Sequence, residues 1–471
     1  FGVAYPAPFR TIDDAYYDST TARDDLLASL ALHYPLGPHL DLRATVYGHW
    51  DRGQGLWWTP YVASPNYGVP GATRDDAPIS LRATEYDIAR HGLTVGLDGA
   101  FEGHSVSAGL WLEDNNFVQA RRFYGEDRRR PHRSYDHFQT DPFLTEWVYH
   151  FRTVTRQVHV QDRWAVSDRL TVDAGFKALD VVNTARTRVG PVKDGRFEAR
   201  RDFLPQLGAS LRTSEDNEIF LSYAKSMRAF SASGTSGPFA ASKEALDVIR
   251  PALKPEVSET FELGWRFRTE RATGLLAVYR VRFRNRLFNT PVGGGILGNP
   301  PALANVGSVT GYGVETALDW QISHDWSVFG SYAFSNARYD DDVFDGDGRL
   351  IARTAGRWAV DAPQHLAKAE IAYAHGSAYA RLGLSWLSER YYSYENDSSV
   401  PSQFLADLAL GYRFNGDGWR DGLEVQANIT NLLDSRYVST IGSNDFPIRG
   451  DAQTLLAGPP REVSVTVRKA F

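Results

Sequence analysis

Alternation of apolar and polar residues is the dominant pattern along this chain. In the last segment, Val463, Val465 and Val467 alternate with polar side chains. The same period of two recurs in 423–430 and in 40–50. Because successive side chains of a strand point to opposite faces of a sheet, this period predicts β-strands with one apolar and one polar face.

The pattern predicts roughly 17 strands. They are expected at 26–34, 40–52, 86–99, 104–120, 144–166, 169–187, 200–213, 217–229, 256–268, 271–286, 302–322, 325–339, 363–374, 377–395, 402–414, 422–435 and 461–471. Many of these segments are longer than the usual five or so residues of a strand in a globular protein.

The predicted connections alternate between tight turns and long loops. The tight turns are expected near 35–38, 100–103, 167–168, 214–216 and 323–325. The long loops are expected at 53–84, 121–143, 188–199, 231–254, 287–301, 340–362 and 436–459. A soluble β-sandwich or propeller would also alternate, but so many long loops are unusual there. The pattern is typical of outer-membrane proteins and predicts an all-β fold, a closed antiparallel transmembrane β-barrel over residues 1–471.

Composition narrows the classes of function. The chain has no cysteine, which excludes disulfides and thiolate sites. Its 12 Trp and 23 Tyr suit the aromatic belts of a membrane interface. A net charge of -6 gives no indication of nucleic-acid binding. The sequence contains no zinc-protease, P-loop or nucleophile-elbow motif, so we expect no enzymatic activity. Because Met227 is the one methionine, we expect that residue 1 is not the translation start and that a leading segment, such as a signal peptide, is missing.

The C-terminal motifs resemble those of TonB-dependent receptors. An N-L-x-D-x-x-Y signature is formed by Asn431, Leu432, Asp434 and Tyr437. It is followed by a G-x-P-R sequence at 458–461 and by a final strand that ends in Phe471. Phe471 resembles the C-terminal aromatic residue of this family, which the barrel-assembly machinery recognises as a signal.

Further motifs of that family lie upstream in the expected order. They are similar to its Y-A-K strand end at 223–230, its L-K-P-E-x-S entry at 253–258 and its N-x-G and G-x-E segments at 305–315. The resemblance implies 22 strands in the complete protein. It also implies an N-terminal plug with a TonB box that contacts the TonB–ExbB–ExbD complex. We find no plug-like segment, so we expect the plug and possibly the first strands to be absent from this chain.

The resemblance implies energised uptake of a scarce ligand across the outer membrane of a Gram-negative bacterium. The default ligand of the family is a ferric siderophore. Uptake of a carbohydrate, cobalamin or another nutrient by the same fold stays open. A passive, plugless, porin-like channel is a second class, favoured by the missing plug. An outer-membrane enzyme is a third, which would need a Ser/His/Asp constellation at one rim.

Three arginines in one predicted strand are candidates for ligand binding. We interpret Leu275, Ala277, Tyr279, Val281 and Phe283 as its apolar face. On this interpretation Arg280, Arg282 and Arg284 point into the lumen, where guanidiniums bind carboxylate or phosphate groups. The alternative is that they pair with acids of the plug or of neighbouring strands, such as Glu262 and Glu315.

Two predicted loops carry further substrate-binding candidates. These are Trp57, Trp58 and Tyr61 in the first loop, and Arg121, Arg122 and Tyr124 in the second. Exposed aromatic rings stack on planar ligands, and arginine adds recognition of charge. The alternative is packing between loops and contact with the phosphates of lipopolysaccharide.

A cluster of aspartates is the one candidate metal site. Asp340, Asp342, Asp345 and Asp347 partly resemble the spacing of a calcium-binding loop, although the closing glutamate is absent. A solvated turn or a lipopolysaccharide-linked Ca²⁺ bridge is the alternative. We expect no other cofactor.

Overall fold

The protein is described by a computed structural model. It describes residues 20–59, 62, 80–125, 138–243, 246–247, 250, 253–290, 302–305, 307–344, 349–415, 418–442, 446–450 and 453–469. A search of these residues found no helix long and apolar enough to span a membrane.

Strands dominate the described residues. In chain order they are β1 (Thr20–Gly37), β2 (Leu40–Thr59), β3 (Ser80–Phe101), β4 (His104–Tyr124), β5 (Leu144–Ala165), β6 (Leu170–Val189), β7 (Gly195–Ser214), β8 (Asn217–Arg228), β9 (Glu256–Arg268), β10 (Ala272–Arg284), β11 (Leu287–Thr290), β12 (Ala302–Asn305), β13 (Ser308–Gln321), β14 (Trp326–Tyr339), β15 (Val343–Phe344), β16 (Leu350–Ala352), β17 (His365–His375), β18 (Ala378–Leu387), β19 (Arg390–Tyr391), β20 (Ser399–Val400), β21 (Gln403–Phe414), β22 (Leu423–Thr430), β23 (Val438–Ile441), β24 (Leu455–Ala457) and β25 (Glu462–Lys469).

Seventeen of these strands form one sheet in which each strand pairs antiparallel with its neighbour along the chain. Each predicted strand has a counterpart in it, so the all-β antiparallel prediction is confirmed. The other eight strands form four two-stranded sheets, β11–β12, β15–β16, β19–β20 and β23–β24, within the connections. Among the residues described, β1 pairs with β2 and β25 pairs with β22. Closure of the barrel and a total of 22 strands stay predictions.

The connections alternate in length, as predicted. The short ones are 38–39, 102–103, 166–169, 215–216, 269–271, 322–325, 376–377 and 415–422. Because the strands are antiparallel, all of these lie along one edge of the sheet, the short-turn side. The connections along the other edge, the long-loop side, are longer, with the exception of 190–194. One predicted long loop, 188–199, is wrong: β6 and β7 extend into it and leave 190–194 as the connection.

Near the short turns the sheet has one apolar and one polar face. On β5, Val158 and Val160 are exposed on the first face, which we call the outer face. Arg163 lies on the opposite, inner face, where its Nε is 2.7 Å from Asp173 Oδ1. The outer face continues with Leu207, Ile219, Leu221, Leu263, Trp265, Leu276, Val278, Leu318 and Trp320.

Towards the long loops this polarity reverses. On β5 the outer positions become Arg152 and Arg156, whereas the inner positions Trp147, Tyr149 and Phe151 are buried. β5 has 22 residues, about twice the 9–11 that a strand needs to cross a bilayer. Its upper half therefore has a different environment, with loops packed against the inner face and an exposed outer face.

Two clusters of buried apolar side chains fill the inner face on the long-loop side. The first is built around Tyr149, Phe151 and Phe239. The second is built around Val309 and Tyr339, with Phe283 packed against it. Both clusters include residues from the connections as well as from the sheet, so they hold parts of the long loops against the strands.

The segment 431–437 fastens the end of β22 to the beginning of β25. Asn431 is 5% exposed, and its backbone φ is 49°. Its Nδ2 donates to Ser435 O at 2.9 Å and Pro459 O at 3.1 Å, while its Oδ1 accepts from Ser435 N at 2.9 Å. Asp434 Oδ1 accepts from Arg461 N at 3.0 Å. The signature residues thus have a structural role that joins two segments distant in sequence.

Candidate functional site

Two cations and two aromatic rings meet on the inner face at the long-loop side. Arg121 of β4 is paired in register with Trp147 of β5, and its Cζ lies 5.2 Å from the centroid of that ring. Trp147 stacks on Tyr149, with centroids 4.9 Å apart and planes inclined by 16°. Lys193 Nζ lies 5.5 Å from the Tyr149 ring centroid. We call Arg121, Trp147, Tyr149 and Lys193 the cation–aromatic site.

The connection that follows β8 forms one wall of this site. Gln119 Oε1 accepts hydrogen bonds from Gly234 N at 2.7 Å and from Ser233 Oγ at 3.3 Å. A Cβ on Gly234 would lie 2.8 Å from the Tyr149 ring, so the close approach requires glycine. The buried turn Pro238–Ala240 then packs against the same cluster. The connection is thereby held against the inner face of the sheet.

Lys193 comes from the turn between β6 and β7. Its Nζ donates to Ala240 O at 2.8 Å, and the residue is 8% exposed. Burial and, as the smaller cause, the neighbouring Arg121 guanidinium together lower the pKa of Lys193 to about 8. The turn is possible because Gly190 has φ 90°; a Cβ there would lie 2.7 Å from Glu146 O. Lys193 is therefore a buried ammonium group that loses its proton at a lower pH than an exposed lysine does.

Positive charge exceeds negative charge at this site. Arg121 Nε is buried and makes no hydrogen bond among the described residues. The nearest carboxylate is that of Glu146, at 3.9 Å and half-exposed. A buried donor without an acceptor costs free energy, about 1–3 kcal/mol. A ligand with an anionic oxygen could accept a hydrogen bond from Arg121 Nε and interact with the Lys193 ammonium group. Its planar part could then stack on Trp147 or Tyr149.

Of the predicted residues of the second loop, Arg121 alone lies at this site. Arg122 and Tyr124 point to the outer face, where both hydrogen-bond the carboxylate of Glu85. Gln54 Nε2 donates to the same carboxylate at 3.0 Å. All three predicted residues belong to β4 rather than to a loop, and alternation along the strand separates them. A bulge between Arg121 and Arg122 shifts the register there.

The predicted lumen orientation of Arg280, Arg282 and Arg284 is wrong. In the pairing of β10 with β9, Leu276 is opposite Trp265 and Arg280 is opposite Phe261. Cross-strand partners share a face, so the three arginines lie on the outer face. The inner positions are the apolar ones, because Tyr279, Val281 and Phe283 face the loop-filled interior. The reversal of polarity towards the long loops misled the sequence-based assignment.

Several predicted residues cannot be placed at any site. Tyr61, Asp345, Asp347 and Phe471 lie outside the described residues. Trp57 and Trp58 belong to the end of β2, but their side chains are also outside the described set. Their predicted roles stay predictions.

The described aspartates of the predicted calcium loop cap backbone and side-chain donors. Asp340 Oδ2 accepts from Thr310 Oγ1 at 2.8 Å, and Asp342 Oδ1 accepts from Ala355 N at 2.9 Å. These contacts fit the alternative of a structured turn. The calcium prediction itself stays untested.

A search for metal-binding groups in the described part of the chain found Asp25, His49 and Asp51. Arg90 Nη2 donates to His49 Nδ1 at 2.9 Å, so His49 Nε2 holds the proton that is donated to Asp25 Oδ1 at 2.6 Å. Arg23 Nε lies 3.6 Å from Asp51 Oδ1. Arg23 thus faces Asp51, and His49 is held between Arg90 and Asp25, so all three potential ligands already have partners within the protein.

Lys193 and the aromatic pair were missed from the sequence. The alternating Trp147, Tyr149 and Phe151 are visible there as an aromatic face. Lys193 has no local signal, because its neighbours at the site come from other strands.

A family model described as TonB dependent receptor-like, beta-barrel matches residues 1–432. The chain belongs to the TonB-dependent receptor family. The antiparallel all-β order of the large sheet agrees with this family.

The curated relatives that match this chain are siderophore receptors, and their sequence identity to it is low. The probable TonB-dependent siderophore receptor PiuA of Acinetobacter baumannii is 21% identical over 317 residues, covering 63% of this chain and 39% of the relative. The ferrioxamine receptor of Yersinia enterocolitica is 26% identical over 219 residues, covering 45% of this chain and 28% of the relative. This receptor chain therefore spans well under half of these relatives.

Solved structures share the fold. The siderophore receptor PiuA from Acinetobacter baumannii has a TM-score of 0.67 at 15% identity, with 96% of this chain and 65% of that chain covered. The copper transporter OprC has a TM-score of 0.64 at 14% identity, with 94% and 67% covered. Because a siderophore receptor and a copper transporter match almost equally, the fold does not identify the ligand.

Proposed function

We propose that the complete receptor imports a negatively charged ferric siderophore across the outer membrane. The observation that carries the proposal is the cation–aromatic site on the inner face of a TonB-dependent receptor barrel. Arg121 and Lys193 suit the oxygen-rich, anionic surface of an iron chelate, and the stacked Trp147 and Tyr149 suit aromatic chelating groups. The naming of the curated relatives, among them the catecholate siderophore receptor Fiu of Escherichia coli, supports this ligand class.

An outer-membrane location is supported by the outer face. Its apolar band is edged by aromatic rings, as in the interfacial girdles of membrane barrels. Along β14, Trp326 and Phe334 are eight residue steps apart, or about 26 Å at 3.3 Å per residue. At the tilt of about 35–45° typical of such barrels, this length rises about 19–22 Å, which is most of the roughly 25 Å height of their apolar band. The long-loop side would then face the exterior, where the ligand arrives.

In the proposed mechanism the loops and the cation–aromatic site capture the chelate. Family membership supplies the remaining steps as expectations. A plug closes the barrel, and the TonB–ExbB–ExbD complex uses the proton gradient of the inner membrane to displace it. The connection after β8 occupies the inner face, so its wall of Gly234 and Pro238–Ala240 would have to accommodate the passing ligand.

Uptake of ⁵⁵Fe by iron-starved cells tests the function. Deletion of the gene is expected to abolish uptake of an anionic ferric tris-catecholate, and the plasmid-borne complete gene is expected to restore it. Loss of TonB should have the same effect, because the proposed transport is energised. Uptake that persists without TonB would instead favour a passive channel.

The pH dependence of binding follows from Lys193. Because the pKa of Lys193 is lowered to about 8, the ammonium group loses its proton as the pH rises past that value. Binding of an anion favours the protonated form, so affinity is expected to fall above pH 8 by up to about tenfold per pH unit. Fluorescence titration of the complete protein between pH 6.5 and 9.5 measures this fall.

Lys193→Arg is the matched control, since arginine stays charged throughout this range. This variant should bind with a nearly flat profile above pH 8. An equally steep fall in the variant would assign the pH dependence to another group.

A further inference from the structure

An exposed ladder of arginines occupies the outer face of β10. Leu276 and Val278 are the last apolar residues of this face, and Arg280, Arg282 and Arg284 follow at alternate positions. Alternate residues of a strand are about 6.6–6.8 Å apart. All three side chains are exposed, so the ladder presents three guanidiniums in a line.

The ladder has little compensating negative charge. Arg284 Nη2 is 3.0 Å from Glu259 Oε2, and Lys225 Nζ is 3.4 Å from Glu259 Oε1. One carboxylate is thereby shared between two cations. Arg280 and Arg282 form no ion pair within the described residues. The group of Lys225, Arg280, Arg282 and Arg284 therefore has three positive charges in excess over Glu259.

Three other outer-face arginines each have an acidic partner. Arg156 Nη1 lies 3.0 Å from Asp180 Oδ2, Arg200 Nε lies 2.8 Å from Asp202 Oδ1, and Arg152 pairs with Asp114. An excess of positive charge therefore does not follow from position on the outer face alone.

The ladder begins where the apolar band ends. Phe261 faces Arg280 across one side, and Tyr312 faces it across the other. Both rings are about half-exposed on the outer face. If the band lies in the hydrocarbon layer, then the guanidiniums lie at the level of the lipid headgroups, which is the depth at which anchoring arginines and tyrosines are found.

We propose that Arg280, Arg282 and Arg284 form a binding site for the phosphate groups of anionic lipid headgroups in the outer leaflet. Guanidinium binds phosphate through two parallel hydrogen bonds, which a diphosphorylated headgroup can use at two adjacent positions of the ladder. The inference rests on the proposed outer-membrane location. It does not depend on which ligand is transported.

The test uses the complete protein in detergent and native mass spectrometry. Diphosphoryl lipid A and monophosphoryl lipid A are the probes, since they differ by one phosphate. The wild type is expected to retain the diphosphoryl lipid about tenfold more strongly. The triple variant R280Q/R282Q/R284Q should lose this preference, whereas R280K/R282K/R284K should keep part of it.

The triple variant R152Q/R156Q/R200Q is the matched control. It removes three arginines from the same face, each of which already has an acidic partner, and is expected to retain the preference. Equal loss in both triple variants would overturn the proposal in favour of non-specific charge attraction. Displacement of the lipid by millimolar pyrophosphate would overturn it in favour of a site for soluble anions.

Iron uptake separates this inference from the proposed function. The R280Q/R282Q/R284Q variant is expected to transport the tris-catecholate at the wild-type rate, provided that it reaches the membrane in equal amount. Absence of transport in the wild type would reject the siderophore function and leave lipid binding to be decided by the mass spectra.

Discussion

Replacement of Arg121 and Lys193 together by glutamine is expected to weaken the binding of an anionic ferric tris-catecholate by about a hundredfold or more. Each residue supplies a charge-assisted hydrogen bond in a largely buried position, and such bonds contribute about 1.5–3 kcal/mol each. At 1.4 kcal/mol per factor of ten, two of them account for a loss of this size. Quenching of tryptophan fluorescence by the chelate in the complete, purified protein measures the dissociation constant.

Two comparisons make this result specific. Arg156→Gln removes an exposed, ion-paired arginine from the outer face of β5 and should leave the affinity within about twofold. A cationic ferric trihydroxamate should bind the double variant no more weakly than the wild type, because its charge is of the opposite sign. If the double variant bound the tris-catecholate as tightly as the wild type, the ligand site would lie elsewhere in the barrel.

Asn431→Ala is expected to lower the free energy of unfolding by about 2–4 kcal/mol. The substitution removes three side-chain hydrogen bonds that join 431–435 to Pro459. It also places an alanine at φ 49°, a left-handed conformation that costs a residue with a Cβ about 1–2 kcal/mol. Urea unfolding in detergent micelles, followed by tryptophan fluorescence, measures the change in the transition midpoint.

Asn415→Ala is the control for this experiment. Asn415 is an exposed asparagine of a short turn, with a 3.3 Å hydrogen bond to Ser377 Oγ, and its loss should cost less than about 0.5 kcal/mol. In Asn431→Asp one carboxylate oxygen can still accept from Ser435 N. The other oxygen replaces the Nδ2 donor and cannot hydrogen-bond the carbonyls of Ser435 and Pro459. It should therefore be destabilised as well. A midpoint for Asn431→Ala equal to that of the control would show that the signature contributes little to stability.

The strands of the large sheet could be predicted from the sequence because a single physical rule determines them. A strand between two different environments alternates its side chains with period two, and this period survives over long distances in 423–430 and 463–467. The short turns were equally predictable, since glycine, proline and aspartate mark them. The ends of the strands were less predictable, because β6 and β7 extend into the predicted loop 188–199.

The facing of β10 could not be predicted in the same way. Leu275 to Tyr279 are five consecutive apolar residues, so neither alternate set is distinguished there. Beyond them the inner face becomes apolar because it meets packed loops. A rule that assigns apolar residues to the outside then gives the opposite answer for the arginines.

The cation–aromatic site depends on contacts between distant parts of the chain. Arg121 and Lys193 meet because four strands and two turns lie in register, and Gly234 reaches them from a connection beyond β8. No local sequence pattern predicts contacts between residues so far apart in the chain. The buried state of Lys193, and with it the lowered pKa, is visible only once the connection has been placed against Tyr149.

The reversal of polarity along the longest strands indicates position relative to the apolar band. In a strand that shows it, the change from an apolar to a charged outer series marks the level at which the strand leaves the apolar band. On β5 the change falls between Val158 and Arg156, and on β10 it falls between Val278 and Arg280. Where the two alternate series differ clearly, as on β5, the change along the sequence therefore marks how far the strand extends beyond the apolar band.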